Sequence, residues 1–519
     1  MSYSPPVFIT KLRTSPLLPL FILAFLNLFV HLFVNATSAY GYVRDEFYYL
    51  ACSDHLAWGY VDQPPLSLFL LKISRLLFGD SLFALRLLPA LSGAVVVFMT
   101  GIITRELGGK KYAQITAACA VFAAPIFLAY DSVYSMNCFE TLFWTLGIYY
   151  FIRIIKEGRT NDWIVLGVIL GLGTINKISV LWLCAGIVAG LLCSPLRKEL
   201  LAAKFWSATG IILVIFSPYI LWQFPNNFAS WEFIKNISSG KYVALSPLQF
   251  YKEQISMLNP FGFPVWFAGI LFLLFSKRMK QFRPLGIAYL TVALILLSNK
   301  TSKANYMAPV YPVLFAAGGI AIEAGIERIK QLWLRPVVPA LLLIGGAIAA
   351  PMVLAVLPVE SYIKYAQALG EKPSTSEKNG IGKLPQHYAD MFGWENMVEQ
   401  IAKAYNTLTP EEKAKCVILM NNYGEAGAVD LLGAKYGLPK SICGHNNYWL
   451  WGCNNSNGEI VLRIGVDMKA VLESYKSAEQ VGTISNPYCM PYETNLSVII
   501  CRDRKIPLKD DWREFKVYH

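Results

Sequence analysis

Charge is scarce in this chain. Asp, Glu, Lys and Arg make up only 15% of its 519 residues, against about 25% in an ordinary soluble domain. That deficit excludes a chain bathed in water throughout. With 55% hydrophobic residues and a mean hydropathy of +0.43, most of it must be solvated by lipid. Histidine is scarcer still, at five residues. There is no H-x-x-x-H, no Cys/His cluster and no C-x-x-C with zinc spacing, which excludes the usual zinc-ligand frameworks. A divalent cation held by carboxylates alone stays open. No nucleophile elbow, nucleotide-binding glycine motif, internal repeat or low-complexity tract is present. The glycines from Gly167 to Gly173 lie inside a hydrophobic span and read as helix packing.

What charge there is lies unevenly. Up to Leu357 there are 28 Lys+Arg against 15 Asp+Glu, and from Pro358 on 18 against 19. The basic excess belongs to the hydrophobic part, which points to membrane topology and lipid phosphate and not to nucleic acid. The ten cysteines divide evenly between the two parts. In the tail, Cys443 with Cys453, or Cys489 with Cys501, could pair in an oxidising compartment, and Cys416 beside Val417-Ile-Leu-Met420 reads as a buried thiol.

The span from Leu17 to about Thr37, preceded by Lys11 and Arg13, is too long for a signal-peptide core and reads as an uncleaved helix with a cytoplasmic N-terminus. Further spans near 83–104, 112–129, 138–154, 163–176, 178–194, 205–222, 263–276, 285–298, 306–326 and 336–357 bring the expected count to about eleven. Alternate short connections carry Arg105/Lys110/Lys111, Arg153/Lys156/Arg159, Arg197/Lys198/Lys204, Lys277/Arg278/Lys280/Arg283 and Arg328/Lys330/Arg335. The positive-inside rule puts these in the cytoplasm. The loop 37–82 and everything from 358 to 519 then fall outside. The expected organisation is a membrane domain over 1–357 and an extracytoplasmic α/β domain over 358–519, in a multi-pass protein of the cell (inner) membrane. The tail alternates strand-like runs (Cys416–Met420, Ile460–Ile464, Leu496–Cys501) with helix-like ones (Trp394–Tyr405, Ala426–Lys435, Met468–Ala478), the pattern of a small mixed α/β fold.

The chemistry-bearing residues gather on the expected outer face. Directly after the first span come Arg44, the adjacent acids Asp45 and Glu46, and three aromatics, followed by Asp54, His55, Asp62, Gln63 and Pro64-Pro65. A partly desolvated interfacial carboxylate can serve as a base, whereas a neighbouring Arg would hold it ionised. The next outer loop contributes Asp131, Asn137 and Glu140, the last two one turn apart on one helix face. An acid inside a hydrophobic span costs about 2.5–3.5 kcal/mol unless paired. Lys177, Lys300 and Lys303 are outer-face cations that run against the topology rule. Each either grips a lipid phosphate or snorkels to the headgroups; Asn305 and Tyr306 beside Lys303 add donors.

Taken in order, Arg44-Asp-Glu46, Asp62-Gln-Pro-Pro65, Ser135-Met-Asn-Cys-Phe-Glu-Thr-Leu-Phe-Trp144, Asn176-Lys177, Pro218-Tyr-Ile-Leu-Trp-Gln223, Asn259-Pro260, Lys303-Ala-Asn-Tyr306 and Tyr311-Pro312 resemble the C-type membrane glycosyltransferases of the protein-mannosyltransferase-like group (glycosyltransferase family 39), which includes the bacterial aminoarabinose transferases. The tail is similar to the extracytoplasmic domain of bacterial members through Tyr423-Gly-Glu-Ala-Gly427 and Met490-Pro-Tyr-Glu493. The resemblance implies inverting sugar transfer from a polyprenyl-phosphate donor to a glycan, lipid or protein acceptor. It implies Asp45 as the base with Glu46 as its helper; Lys303, Lys177, Arg44 and Tyr306 on the donor phosphate; and Asp62, Gln63, Asp131, Asn137, Glu140 and His55 on substrate. Gln63 stands where the aminoarabinose transferases have a lysine, and Asn137 where many members have an acid. The competing readings are a polar-lipid transporter, which would place its charges at the bilayer midplane in two corresponding halves, and a non-catalytic assembly subunit.

Overall fold

A computed structural model describes residues 17–519; Lys11 and Arg13, cited above for topology, lie outside the described residues. The chain forms two compact units. One comprises the residues up to Ser38, Phe83–Ile220 and Ala244–Val356; the other comprises Ala39–Leu82, Leu221–Val243 and Leu357–His519.

The first unit is an α-helical polytopic membrane bundle. Among the described residues, seven helices are long and apolar enough to cross a membrane, or up to nine if each of two bent pairs counts as one span. The seven are Leu18–Thr37, Leu82–Glu106, Met136–Glu157, Ala203–Gln223, Lys277–Leu297, Ala304–Ile329 and Leu334–Val353. The difference from eleven has local causes. The stretch 112–129 is two helices, Lys111–Phe122 and Pro125–Tyr130, because Pro125 cannot continue the hydrogen-bond ladder. Val180–Leu192 turns by 118° into Pro195–Leu201, and Pro247–Met257 by 101° into Pro260–Phe275. In both pairs a proline opens the second arm, and in the latter Asn259 takes φ +69°. Thr160–Thr174 is apolar but short.

Ala304–Ile329 is the most enclosed of the seven, with 78% of its most apolar window buried, whereas Ala203–Gln223 buries only 11%. Small residues allow the tightest approaches. A Cβ on Gly318 would lie 1.9 Å from the Val265 carbonyl oxygen, and one on Gly167 would lie 2.8 Å from that of Ala208. Without a hydrophobic drive between helices in lipid, such backbone contact is what holds them together.

The second unit is built on a five-stranded sheet ordered β2-β1-β3-β5-β4: β1 (Cys416–Met420), β2 (Ile442–Cys443), β3 (Ile460–Ile464), β4 (Tyr475–Ile484) and β5 (Leu496–Arg504). The pairs β1–β2 and β1–β3 are parallel; β3–β5 and β5–β4 are antiparallel. The helix expected over Met468–Ala478 stops at Ser474, and the chain continues as β4. This strand pairs only with β5, so it needs no continuous apolar run to bury. The helix Tyr423–Leu432 packs against the helix Arg44–Asp54: a Cβ on Gly427 would meet the Phe47 carbonyl oxygen at 2.7 Å. Phe47 also sits edge-on to Trp394, with ring centroids 5.5 Å apart. Segment Leu221–Val243 is tied to the same body by Lys516 to Glu232 (2.6 Å), by Ser230 Oγ donating to the Tyr60 carbonyl (2.9 Å), and by a bridge between Tyr242 and Glu377. All ten cysteines are free thiols, Cys416 among the buried ones.

Candidate active site

In the second unit the helix Arg44–Asp54 starts after an extended Val43. Glu46 is fully buried, and its Oε2 accepts the Val43 N–H at 2.9 Å, satisfying a donor that the helix start leaves open. The Asp45 side chain is 54% exposed, with its Oδ1 accepting from the Tyr423 hydroxyl at 2.9 Å and lying 3.7 Å from Arg44 Nε. The Tyr423 phenol is pushed well above its ordinary pKa by burial first and by the Asp45 charge second, so it remains a donor. Arg44 is held in turn. Its Nη1 donates to Tyr492 Oη at 2.6 Å, Nη2 lies 3.9 Å from Glu377 Oε1, and the guanidinium sits 5.7 Å over the Tyr423 ring. One acid is thus free to face solvent while its two neighbours fix where it points.

Arg44, Glu377, Tyr423 and Tyr492 border a cavity of about 630 Å³ whose wall also includes Lys241, Lys378 and His445. Burial pushes His445 down to about 3, so it contributes no charge; among the lining side chains Arg44, Lys241 and Lys378 are cations and Glu377 is a carboxylate. Asp62 accepts from the Tyr48 hydroxyl at 2.9 Å, and that hydroxyl also lies 3.1 Å from Asn447 Oδ1. Burial pushes Asp62 up to about 6, with the Tyr48 hydrogen bond pulling the other way. Gln63 is fully buried with neither amide atom partnered. Such an amide costs roughly 1–3 kcal/mol unless a bound group or water satisfies it. His55 lies at the other end of the helix, stacked on Trp451.

The membrane unit holds the second cluster. Lys177 follows the helix Thr160–Thr174, and its Nζ lies 2.6 Å from Glu140 Oε2 and 2.7 Å from Asn137 Oδ1, and 5.1 Å from the Tyr306 ring centroid. Ser179 donates to the other Glu140 oxygen. Ser135 caps the helix Met136–Glu157. The acid inside this span is therefore paired, as the desolvation cost demands. Asp131 is buried beside Asn27 Nδ2 (3.4 Å) and His31 Nε2 (3.8 Å). Lys303 is partly exposed in an extended residue preceding the short helix Ala304–Val310.

Sequence reasoning gave no role to Lys241, Glu377, Lys378, Tyr423, His445 or Tyr492. For Tyr423 and Tyr492 a signal existed, since both lie in the tail motifs Tyr423–Gly427 and Met490–Glu493. The others stand in unremarkable stretches. Among the described residues, no three His, Cys, Asp or Glu side chains are grouped to hold a metal ion.

Residues 62–222 match the family model described as dolichyl-phosphate-mannose-protein mannosyltransferase. An uncharacterized protein of Aquifex aeolicus (strain VF5) is 22% identical over 316 residues, 60% of this chain and 60% of its own. The undecaprenyl phosphate-alpha-4-amino-4-deoxy-L-arabinose arabinosyl transferase 2 of Pseudomonas fluorescens (strain Pf0-1) is 25% identical over 265 residues, 49% of this chain and 47% of its own. The chain thus spans between about half and three-fifths of the length of these two relatives. The crystal structure of ArnT from Cupriavidus metallidurans bound to undecaprenyl phosphate superposes with a TM-score of 0.58 at 14% identity, covering 93% of this chain and 97% of that one. The chain shares the fold of that ArnT structure, and in sequence it is similar to the undecaprenyl phosphate-alpha-4-amino-4-deoxy-L-arabinose arabinosyl transferases.

Proposed function

We propose that the protein transfers a sugar from a polyprenyl-phosphate donor to a hydroxyl or phosphate acceptor on the extracytoplasmic side of the cell membrane. The observation that carries this reading is Asp45: a half-exposed carboxylate oriented by Tyr423 and Arg44, two residues that themselves line a cavity with Lys241 and Lys378. In the proposed reaction Asp45 takes the acceptor proton as the acceptor oxygen bonds to the anomeric carbon. The bond from that carbon to the phosphate oxygen breaks, and the polyprenyl phosphate departs with its electron pair. A single displacement inverts the anomeric centre. The leaving group is already an anion, so it needs cations more than an acid. Lys303 takes that role, with Arg44, Lys177 and Tyr306 as further donor contacts. The Lys177 charge is largely balanced by Glu140. Glu46 helps by fixing the start of the helix that presents Asp45. Asp62, Gln63, Asp131, Asn137, Glu140 and His55 are assigned to shaping and contacting substrate.

The test is release of free undecaprenyl phosphate by purified protein offered a panel of undecaprenyl-phosphate-linked pentoses, hexoses and amino sugars, with an extract of cell-envelope lipids and glycans supplying the acceptor hydroxyls and phosphates. Release from at least one donor, abolished in Asp45→Asn with membrane insertion intact, is expected. No release from any donor would favour a transporter or an assembly subunit, and release unchanged in Asp45→Asn would remove the base.

A further inference from the structure

A second cavity in the loop-and-tail unit, of about 610 Å³, opens at the C-terminal end of the helix that carries Asp45. We propose that it is a saccharide-binding cleft for an uncharged or amino-sugar oligosaccharide, seated on the stacked rings of His55 and Trp451. The two rings lie 4.3 Å apart and 23° from parallel, and Tyr448 meets Trp451 edge-on at 4.7 Å. His55 is exposed, so the stack offers a flat apolar surface to the C–H face of a pyranose.

The rest of the wall suits the hydroxyls. Arg75 is clamped between Asp80 (2.5 Å) and Asp54 (2.8 Å). Asp430 is fixed by the Ser441 N–H (2.7 Å) and the Tyr448 hydroxyl (2.8 Å). Charges already held by protein partners present remaining lone pairs and N–H groups in set directions, the arrangement that binds polar ligands without reorganisation. An apolar ligand would strip water from these groups and return nothing. A polyanion would face three carboxylates, Asp54, Asp80 and Asp430, against Arg75 and Lys440. A saccharide without acidic groups meets neither penalty.

Placement adds a role. His55 lies ten residues beyond Asp45, about 15 Å along the helix, so a short oligosaccharide held here lies alongside the helix that presents the base. That this saccharide is the acceptor rests on the proposed transfer reaction; the binding does not. Saturation-transfer NMR on the full-length protein in nanodiscs, with maltotetraose, a glucosamine tetramer and tetragalacturonate as probes, tests the cleft. Transfer to maltotetraose or the glucosamine tetramer is expected. Affinity should fall about five- to tenfold in Trp451→Ala and in His55→Ala, on the scale of a lost ring contact. His55 is exposed, so its variant reads the cleft even where Trp451→Ala disturbs folding. Transfer to none of the probes, transfer to tetragalacturonate alone, or affinity unchanged in His55→Ala would overturn the proposal. Binding without any donor turnover would count against the transfer reaction and leave the cleft standing. Turnover with no saccharide bound would do the reverse.

Discussion

Replacing Lys177 by methionine should destabilise the membrane unit more than replacing Glu140 by glutamine, and replacing both should restore most of the loss. The reasoning starts from burial: the Glu140 side chain is 1% exposed and that of Lys177 12%. Breaking a buried pair by removing one partner costs about 3–5 kcal/mol, because the other charge is left uncompensated in a low-dielectric site. In Lys177→Met the stranded group is Glu140, fully enclosed with only the Ser179 hydroxyl still donating to it, so the cost falls within that range, at about 3 kcal/mol. In Glu140→Gln the stranded group is an ammonium that keeps Asn137 Oδ1 at 2.7 Å, the Tyr306 ring and some water. That cost is smaller, about 2 kcal/mol. The pair Lys177→Met with Glu140→Leu removes both charges and should return to within about 1 kcal/mol of the parent. Thermal unfolding of the four purified proteins in one detergent reads the order: parent and double variant together, then Glu140→Gln, then Lys177→Met. A Lys177→Met protein as stable as the parent would refute the argument. A folded double variant with weakened donor use would keep the Lys177–Glu140 pair, taken together, at the donor.

Tyr423→Phe removes the hydroxyl that Asp45 accepts. A hydrogen bond to a charged group contributes about 1.5–3 kcal/mol, but the 54% exposure of Asp45 cuts this to about 1 kcal/mol. Transfer efficiency should therefore fall about fivefold, against roughly 10²–10⁴-fold for Asp45→Asn; equal losses in the two variants would contradict a positioning role. Asp62 binds its proton more tightly in the folded chain, with a pKa of about 6 against 3.8. The folded state then holds more protons, and stability declines as pH rises from about 4 through 6. Asp62→Asn removes that share, so its stability relative to the parent should climb across the same window, and a flat difference would show that the group is not desolvated. Gly427→Ala would force a Cβ to 2.7 Å from the Phe47 carbonyl oxygen. It should cost about 1–3 kcal/mol in the loop-and-tail unit, read as earlier proteolysis of the tail, and unaltered protease resistance would contradict the tight packing of the two helices.

The spans were legible where one residue type dominates for 20 positions, because lipid imposes that length and composition on any crossing helix. They were least legible at Pro125, Pro195 and Pro260, where the hydropathy is right but the backbone breaks. The strands β1, β3 and β5 announced themselves through their apolar runs. Neither β2, two residues long, nor the polar edge strand β4 had a run to show.

The site was legible only to the extent that it is local. Arg44, Asp45 and Glu46 stand together after the first span, and Asn137 and Glu140 share a helix face with Lys177 40 residues on. What orients Asp45 is not local at all. Tyr423 lies 378 positions away and Tyr492 lies 448 positions from Arg44, and nothing in a residue's own neighbourhood encodes such a partner. The hydrophobic pattern separates loop from tail because one follows a span and the other ends the chain. Packing joins them, through Gly427 against Phe47 and Phe47 against Trp394. The segment Ala39–Leu82 is too short to bury Phe47, Tyr48 and Tyr49 by itself; the aromatics beside the two acids are there to be covered by the tail. The same residues that made the loop look catalytic are therefore also its docking surface, and Asp45, held in this way, is positioned only in a chain whose tail has folded over it.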